Sequence, residues 1–141
     1  MISDELMKII EELKKQGKMY FLEATTAKQI EEFENDKKIQ LPEKYKEWLL
    51  YSDGGDLYLP AGVQLYGVTH NPIIDVNDDD RPDNNYIVIG ALASGDPVLF
   101  EKNSEKIIIY DHESGIIDDE LVYDDLYAFL KDLNDLLGIG E

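Results

Sequence analysis

Residues 26–37 carry the first of two local patterns that most constrain the fold, a helix with a defined beginning and an apolar face. Thr26 and Gln29 have the spacing of a capping box, in which each side chain accepts a hydrogen bond from the other residue's backbone N–H. Ile30 and Phe33 lie one helical turn apart, so they predict one buried side of the helix. The pattern therefore predicts an amphipathic helix that starts after Thr26.

A second helix is predicted shortly afterwards. Pro42 is acceptable in the first turn of a helix, where its missing N–H costs nothing. Tyr45, Trp48 and Leu49 follow at i, i+3 and i+4, which places all three side chains on one face. The pair Gly54-Gly55 is predicted to end this helix, because glycine enters the left-handed conformation without steric cost. Both helices are structural elements, and their residues alone do not indicate a function.

The remaining elements give the fold class. In chain order they are a helix over residues 2–17, a short apolar link or strand at 19–22, strands at 57–59, 63–66, 87–92, 98–101, 106–110 and 121–123, and a helix over 124–137 capped by Asp124. This order predicts an α+β fold of three helices, an antiparallel sheet of four or more strands and a closing C-terminal helix. Residues 1–141 are expected to form a single domain. The residues expected to be buried are Ile30, Phe33, Tyr45, Trp48, Phe129 and Leu130.

The order of short motifs in residues 30–55 is distinctive: I-x-x-F-E, then I-x-L-P, Y-K-x-W-L-L and S-D-G-G. This ordered set resembles the opening of the SUKH immunity-protein superfamily, which includes the domain of a fungal cell-wall-assembly regulator. The resemblance continues through I-V-I-G at 87–90, S-G-D at 94–96, I-I-I-Y-D-H-E at 107–113 and the final helix, and it covers residues 26–137. The stretch between Gly55 and Tyr86 matches no part of it.

The resemblance implies a function in binding. Members of this superfamily neutralise a toxin, often a nuclease toxin of bacterial competition, and steric occlusion with electrostatic steering is the expected mechanism. An adaptor or regulatory interaction domain is the alternative implied by the fungal relative. The small, acidic N-terminal segment contains neither a signal peptide nor a transmembrane run, so the expected location is cytoplasmic.

The charge of the chain is strongly negative and uneven. Its 13 basic and 31 acidic side chains give −18. Residues 1–50 hold nine basic and 11 acidic side chains, whereas residues 51–141 hold four and 20. Such a protein repels nucleic acid and anionic membranes, and it attracts a basic protein such as a cognate toxin. Solubility alone is the competing explanation of the acidity, and the oligomeric state is not predicted.

Two acidic runs in residues 51–141 are the candidate surface for a basic partner. The candidate contact residues are Asp75, Asp78, Asp79, Asp80, Asp83, Asp118, Asp119 and Glu120. Tyr58, Tyr66, Tyr86 and Tyr123 are either aromatic anchors beside these runs or side chains packed in the sheet. Asp124 and Asp125 have a structural explanation, since anions stabilise a helix N-terminus.

No metal site, cofactor or catalytic residue is predicted. Residues 75–86 begin like an EF-hand loop, but Asp80 stands where the required glycine belongs and Tyr86 where the bidentate glutamate belongs. The chain has no cysteine, so thiolate chemistry and Cys-ligated metals are excluded. Neither a phosphate-binding loop nor a nucleophile elbow is present, and the sequence D-H-E at 111–113 fits a turn. A small enzyme is therefore the least favoured class of function.

Overall fold

The computed structural model describes residues 2–59, 62–69, 85–111 and 113–136, and for residues 118–120 and 134 it describes the backbone alone. Within these residues four helices accompany a seven-stranded antiparallel sheet. The helices are α1 (Asp4–Gln16), α2 (Ala27–Lys37), α3 (Glu43–Leu49) and α4 (Leu126–Leu136). The strands are β1 (Lys18–Tyr20), β2 (Gly55–Leu59), β3 (Val63–Leu65), β4 (Tyr86–Leu92), β5 (Pro97–Glu101), β6 (Ile107–Asp111) and β7 (Ile116–Tyr123).

The strands lie side by side in the order in which they occur along the chain, and every neighbouring pair is antiparallel. The α+β prediction, with N-terminal helices, an antiparallel sheet and a C-terminal helix, is confirmed. One detail of the predicted order is wrong, because the first strand of the sheet lies between α1 and α2 and not after three helices. The short apolar stretch after α1 is strand β1, which pairs with β2 and forms one edge of the sheet.

Two of the predicted helix starts can be checked against their hydrogen bonds. The capping box is confirmed: Thr26 Oγ1 accepts from Gln29 N at 3.1 Å, and Gln29 Oε1 accepts from Thr26 N at 3.0 Å. Helix α4 is not capped by Asp124. Its N-terminal turn is closed by Asp125, whose Oδ1 accepts from Ala128 N at 2.9 Å. The predicted end of α4 at residue 137 lies outside the described residues.

The end of α3 also differs from the prediction. The helix ends at Leu49, and Ser52 N donates to the Trp48 carbonyl at 2.8 Å to close it. Gly54 and Gly55 have φ of +92° and +122°, but they lead into β2 instead of capping the helix. A Cβ at Gly54 would stand 2.4 Å from the carbonyl oxygen of Leu65, so the glycine permits the approach of β3.

The main core lies between the helices and one face of the sheet. All six residues predicted to be buried are at most 8% exposed, and Tyr45 and Trp48 are fully buried. The opposite face of β4–β6 carries a second cluster, made of Val88, Leu99, Ile108 and Tyr110, which are also buried. Because β4, β5 and β6 are buried on both faces, their sequences are continuous apolar runs without polar alternation.

Candidate partner-binding surface

The motif residues of the stretch 30–55 are used to hold the fold together. The Tyr45 hydroxyl is fully buried and donates to the carbonyl oxygen of Tyr66, at the end of β3. Its burial, together with the negative charge of Asp53, raises the pKa of Tyr45 well above its usual value, so the group stays protonated as a donor. Trp48 Nε1 donates to the Gly54 carbonyl at 3.0 Å. Two aromatic side chains of α3 therefore fix the chain on both sides of β2 and β3.

Asp53 is the centre of the S-D-G-G turn and is only 1% exposed. Its carboxylate accepts from Thr25 Oγ1 at 2.5 Å, from Val68 N at 2.7 Å and from Thr69 N at 3.0 Å. A Cβ at Gly67 would lie 2.2 Å from Asp53 Oδ1, so only glycine fits between the carboxylate and the chain that leaves β3. This buried acid joins three segments of the chain and is not exposed for contact with another protein.

Two glutamates position α3 in a similar way. Glu34 Oε2 accepts from Leu41 N at 2.8 Å and lies 3.5 Å from Lys46 Nζ, which fixes the link between α2 and α3. Glu105, in the turn between β5 and β6, accepts from the first backbone N–H groups of α3, those of Glu43 at 2.7 Å and Lys44 at 3.2 Å. It supplies the N-terminal cap that Pro42, in the residue position before α3, has no side-chain group to provide.

A cluster around Glu47 joins the first residues of the chain to α3 and α4. Glu47 Oε1 accepts from Ser3 Oγ at 2.7 Å, from Ser3 N at 3.1 Å and from the Tyr127 hydroxyl at 2.5 Å. Partial burial alone would raise the pKa of Glu47, but the hydrogen bonds from Tyr127 and Ser3 outweigh it and hold that pKa below its usual value. Burial and the Glu47 carboxylate raise the pKa of Tyr127 to about 12.

The first predicted acidic run, which we name the acidic loop (Asp75, Asp78, Asp79, Asp80 and Asp83), lies outside the described residues. His70 and His112 do so as well. The loop's role in binding stays a prediction, as does the absence of a calcium site. Among the described residues, no group of three or more possible ligands could hold a metal ion.

The second run, Asp118, Asp119 and Glu120, lies in the middle of β7, and we name it the acidic bulge. Ile108 pairs with Val122 and Tyr110 with Ile117, so five steps along β7 match two steps along β6. Three extra residues are therefore inserted into β7 where the acids stand. Within the described residues β7 pairs only with β6, and a charged bulge at such an edge discourages pairing with other chains. This gives the acids a structural use beside the proposed one.

The sheet fixes the distance between the acidic bulge and Asn85, the first described residue after the acidic loop. The acidic loop rejoins the described chain at Asn85, whose carbonyl accepts from Lys102 N at 2.8 Å just before β4. From β4 to β7 there are three strand spacings, about 14 Å, and the acidic bulge lies about four residues further along, roughly 13 Å. Asn85 and the bulge are thus on the order of 20 Å apart in the sheet.

The four candidate tyrosines are mostly used inside the fold. Tyr58 is 3% exposed and its hydroxyl donates to Gln16 Oε1 at 2.6 Å, so its interpretation as an anchor is wrong. Tyr123 packs edge-on against Phe129 and donates to Asp132 at 2.7 Å. Burial and the Asp132 carboxylate raise its pKa. Tyr66 and Tyr86 are half-buried against the second cluster.

Two side chains that the sequence analysis did not select are the exposed ones. Among the described residues, the large hydrophobic side chains that face solvent are Tyr20, 56% exposed on β1, and Ile116, 63% exposed at the start of β7. They lie at opposite edges of the sheet. The signal that could have found Ile116 is its place directly after the turn Glu113-Ser114-Gly115, beside an acidic run.

The described residues form an acidic α+β domain in which the motif residues of the stretch 30–55 hold the fold together. The chain belongs to the SMI1/KNR4 family (SUKH-1), whose family model matches residues 24–132. This family is generally non-enzymatic, and membership indicates an immunity role or a regulatory role through protein interaction. No curated protein sequence matches the chain. None of the helices among the described residues is long and apolar enough to cross a membrane.

Proposed function

We propose that this protein is an immunity protein that binds a basic toxin domain and blocks its active site. The observation that carries the proposal is the separation of charge in a member of this family. Nine of the 13 basic side chains precede residue 51, whereas 20 of the 31 acidic ones follow it. The excess of carboxylates therefore belongs to residues 51–141, whereas most of the lysines belong to residues 1–50, which contain α1, α2 and α3.

Electrostatics explain why such a distribution suits a toxin inhibitor. A nuclease active site is basic because it must hold phosphate groups, so carboxylates of a second protein are attracted to the same site. Opposite charges steer the encounter and raise the association rate, and salt screens them beyond about 8–10 Å. Binding alone excludes the substrate, and no covalent step or cofactor is required.

The separation of Asn85 from the acidic bulge supports one shared contact area. An interface of ordinary size buries about 800 Å² on each partner, which corresponds to a patch roughly 30 Å across. Asn85 and the acidic bulge, on the order of 20 Å apart, fit within one such patch. A single toxin domain can therefore cover both the acidic bulge and Asn85, where the chain of the acidic loop returns to the sheet. The motif residues of the stretch 30–55 would support this surface from behind instead of touching the toxin.

The test requires a basic toxin domain as partner, which a pull-down with this protein as bait, followed by mass identification, would supply. A variant with Asp78, Asp79, Asp80, Asp118, Asp119 and Glu120 changed to Asn or Gln is compared with a matched control. The control carries the same change of six charges at exposed acids of the helical half, namely Glu11, Glu12, Glu23, Glu31, Glu32 and Asp36. Stopped-flow association, measured at low and high salt, should show an on-rate that is at least tenfold lower for the first variant than for the control. Equal rates for both variants would assign the acidic runs to solubility.

A regulatory adaptor is the alternative function, and a cell-based assay separates the two. An immunity protein restores growth when it is co-expressed with the toxin domain, and the first six-acid variant should rescue less well than the control variant. Binding without any rescue would favour the adaptor. Turnover of a substrate by the isolated protein would instead indicate an enzyme.

A further inference from the structure

Ile116 is the most exposed large hydrophobic side chain among the described residues, and its exposure is not required by the turn that it follows. Asp111 Oδ1 accepts from Glu113 N at 3.0 Å and from Ser114 N at 3.2 Å, and Gly115 N donates to the Asp111 carbonyl at 2.8 Å. Gly115 has φ of +73°, which completes the turn. The side chain of Ile116 contributes to none of these bonds, so a polar residue would serve the fold equally well.

All the Asp, Glu, Lys and Arg residues that flank Ile116 along the chain are acidic. Between residues 111 and 125 there are seven acidic side chains and no lysine or arginine. Glu113 is exposed three positions before Ile116, and the acidic bulge begins two positions after it. The next residue, Ile117, faces the other way and packs against the second cluster. Ile116 is thus an exposed apolar side chain in a strand whose charged residues are all acidic.

Interfaces of high affinity combine an apolar centre with a charged rim. We propose that Ile116 is the apolar anchor of the partner-binding surface. The N-terminal part of β7 then binds an extended segment of a basic protein, in which apolar side chains alternate with Lys or Arg side chains. This proposal rests on the proposed function, because it names the anchor and the partner chemistry of the same acidic surface. The charge complementarity of the strand selects a basic occupant, and the exposed isoleucine selects one with an apolar side chain.

Tyr20 provides an internal comparison. It is exposed to a similar degree at the opposite edge of the same sheet, but it lies in the nearly neutral half of the chain, two positions after Lys18. Exposure alone would make both residues equivalent. A docking surface that depends on acidity and an apolar anchor together requires Ile116 and leaves Tyr20 without effect.

The test uses a defined probe, a capped ten-residue peptide of alternating lysine and valine, with alternating glutamate and valine as its charge-reversed control. Titration of the full-length protein by two-dimensional NMR should shift the amides of residues 111–123 and leave those of 18–20 unchanged. The Ile116→Asp variant should bind at least tenfold more weakly, although it adds a negative charge that would strengthen purely electrostatic binding. Ile116→Leu should keep its affinity, and Tyr20→Asp should behave as the unchanged protein.

The inference is overturned if Ile116→Asp binds as well as the unchanged protein, if the shifts occur at β1, or if both peptides bind equally. Its failure can be told apart from failure of the proposed function. If the toxin domain binds and Ile116→Asp has no effect on either ligand, the anchor is wrong while the immunity role stands. If the lysine–valine peptide binds at β7 and the toxin domain does not bind at all, the immunity role is wrong while the basic-partner surface stands.

Discussion

At the scale of single residues, spacing in the sequence predicts burial, whereas the polar contacts of the same residues depend on distant parts of the chain. The helical spacing of Tyr45 and Trp48 predicted their buried positions, which the structure confirms. It did not predict that Trp48 Nε1 donates to Gly54 O or that the Tyr45 hydroxyl donates to Tyr66 O. Those partners are brought there by the turn after α3 and by the end of β3, and a local pattern contains no information about them.

Replacing Trp48 by alanine should lower the free energy of unfolding by about 3–5 kcal/mol, the usual cost of removing a buried aromatic side chain. Trp48→Phe should cost clearly less, because it keeps most of the packing and loses the hydrogen bond to Gly54. That carbonyl still accepts from Ser52 Oγ at 2.7 Å. Urea denaturation measures both values. Tyr20→Ala is the control, and a loss at this exposed site as large as that at Trp48 would contradict the assignment of the core.

Replacing Asp53 by asparagine tests the buried carboxylate. The side-chain NH₂ of asparagine would face a hydroxyl or backbone N–H donor that the carboxylate now satisfies, which leaves buried donors unpaired. The expected loss is about 2–3 kcal/mol in free energy of unfolding. Asp56→Asn, at a half-buried position on β2, is the matched control and should change stability by less than about 0.5 kcal/mol. Equal effects of the two changes would show that Asp53 has no special structural role.

At the scale of elements, the sequence predicted those features whose signals are local. The capping box of α2 and the apolar periodicity of the helices depend on residues a few positions apart, and both are confirmed. The predictions for the end of α3 and for the capping residue at the start of α4 were wrong, because distant contacts decide them. Gly54 is needed against Leu65 of β3, and Asp125, not Asp124, meets Lys44 of α3 at 3.2 Å. The sequence predicts either a link or a strand at residues 19–22, which overlap β1, because so short a run has no clear periodicity.

The Glu47 cluster, which joins the start of α1 to α3 and α4, gives a pH-dependent prediction. Because the pKa of Glu47 is lowered in the folded protein, its ionised form stabilises the fold above its usual pKa of about 4.3, and this contribution disappears as the pH falls through the folded-state value. At pH 7 Glu47→Gln should lose on the order of 1 kcal/mol, a modest value for a partly exposed cluster. The difference from the unchanged protein should shrink at pH 3.

Thermal unfolding at pH 7 and pH 3 measures this effect. Glu32→Gln is the control, because Glu32 is an exposed glutamate of α2. Its melting temperature should equal that of the unchanged protein at both values of pH. A difference between Glu47→Gln and the unchanged protein that is as large at pH 3 as at pH 7 would show that shape, and not charge, determines the contribution of Glu47.

At the scale of the whole molecule, the sequence predicted the sign of the surface charge but not the positions of the charged residues in the fold. The eight candidate acids could be chosen from composition alone, because charge is read directly from the residues. That three of them form a bulge in β7 depends on the register with β6, and the sequence does not specify where an extra residue is accommodated. The exposure of Ile116 is seen only in the structure, although its place directly after the turn at 113–115 was a local signal for it.

The acidic loop is expected to bind no calcium tightly, since Asp80 and Tyr86 replace the two residues that EF-hand geometry demands. Isothermal titration of the protein with CaCl₂ should give no one-site binding at micromolar affinity. Titration with MgCl₂ serves as the control for weak, non-selective binding by clustered carboxylates. A saturable calcium signal with one equivalent, absent for magnesium, would contradict the prediction.

The net charge of −18 also predicts how the stability of the folded protein responds to salt. Like charges crowded into the compact state repel one another, and the screening length falls from about 30 Å at 0.01 M to about 10 Å at 0.1 M salt. The melting temperature should therefore rise by a few degrees, equivalent to about 1 kcal/mol, between 0.01 and 0.3 M NaCl. The variant with six acids neutralised at 78–80 and 118–120 has a net charge of −12, so it should melt higher at low salt and gain less from added salt. If both proteins gain equally, the repulsion arises elsewhere in the molecule, and if the melting temperature falls with salt, attractive ion pairs such as Lys44–Asp125 outweigh the repulsion.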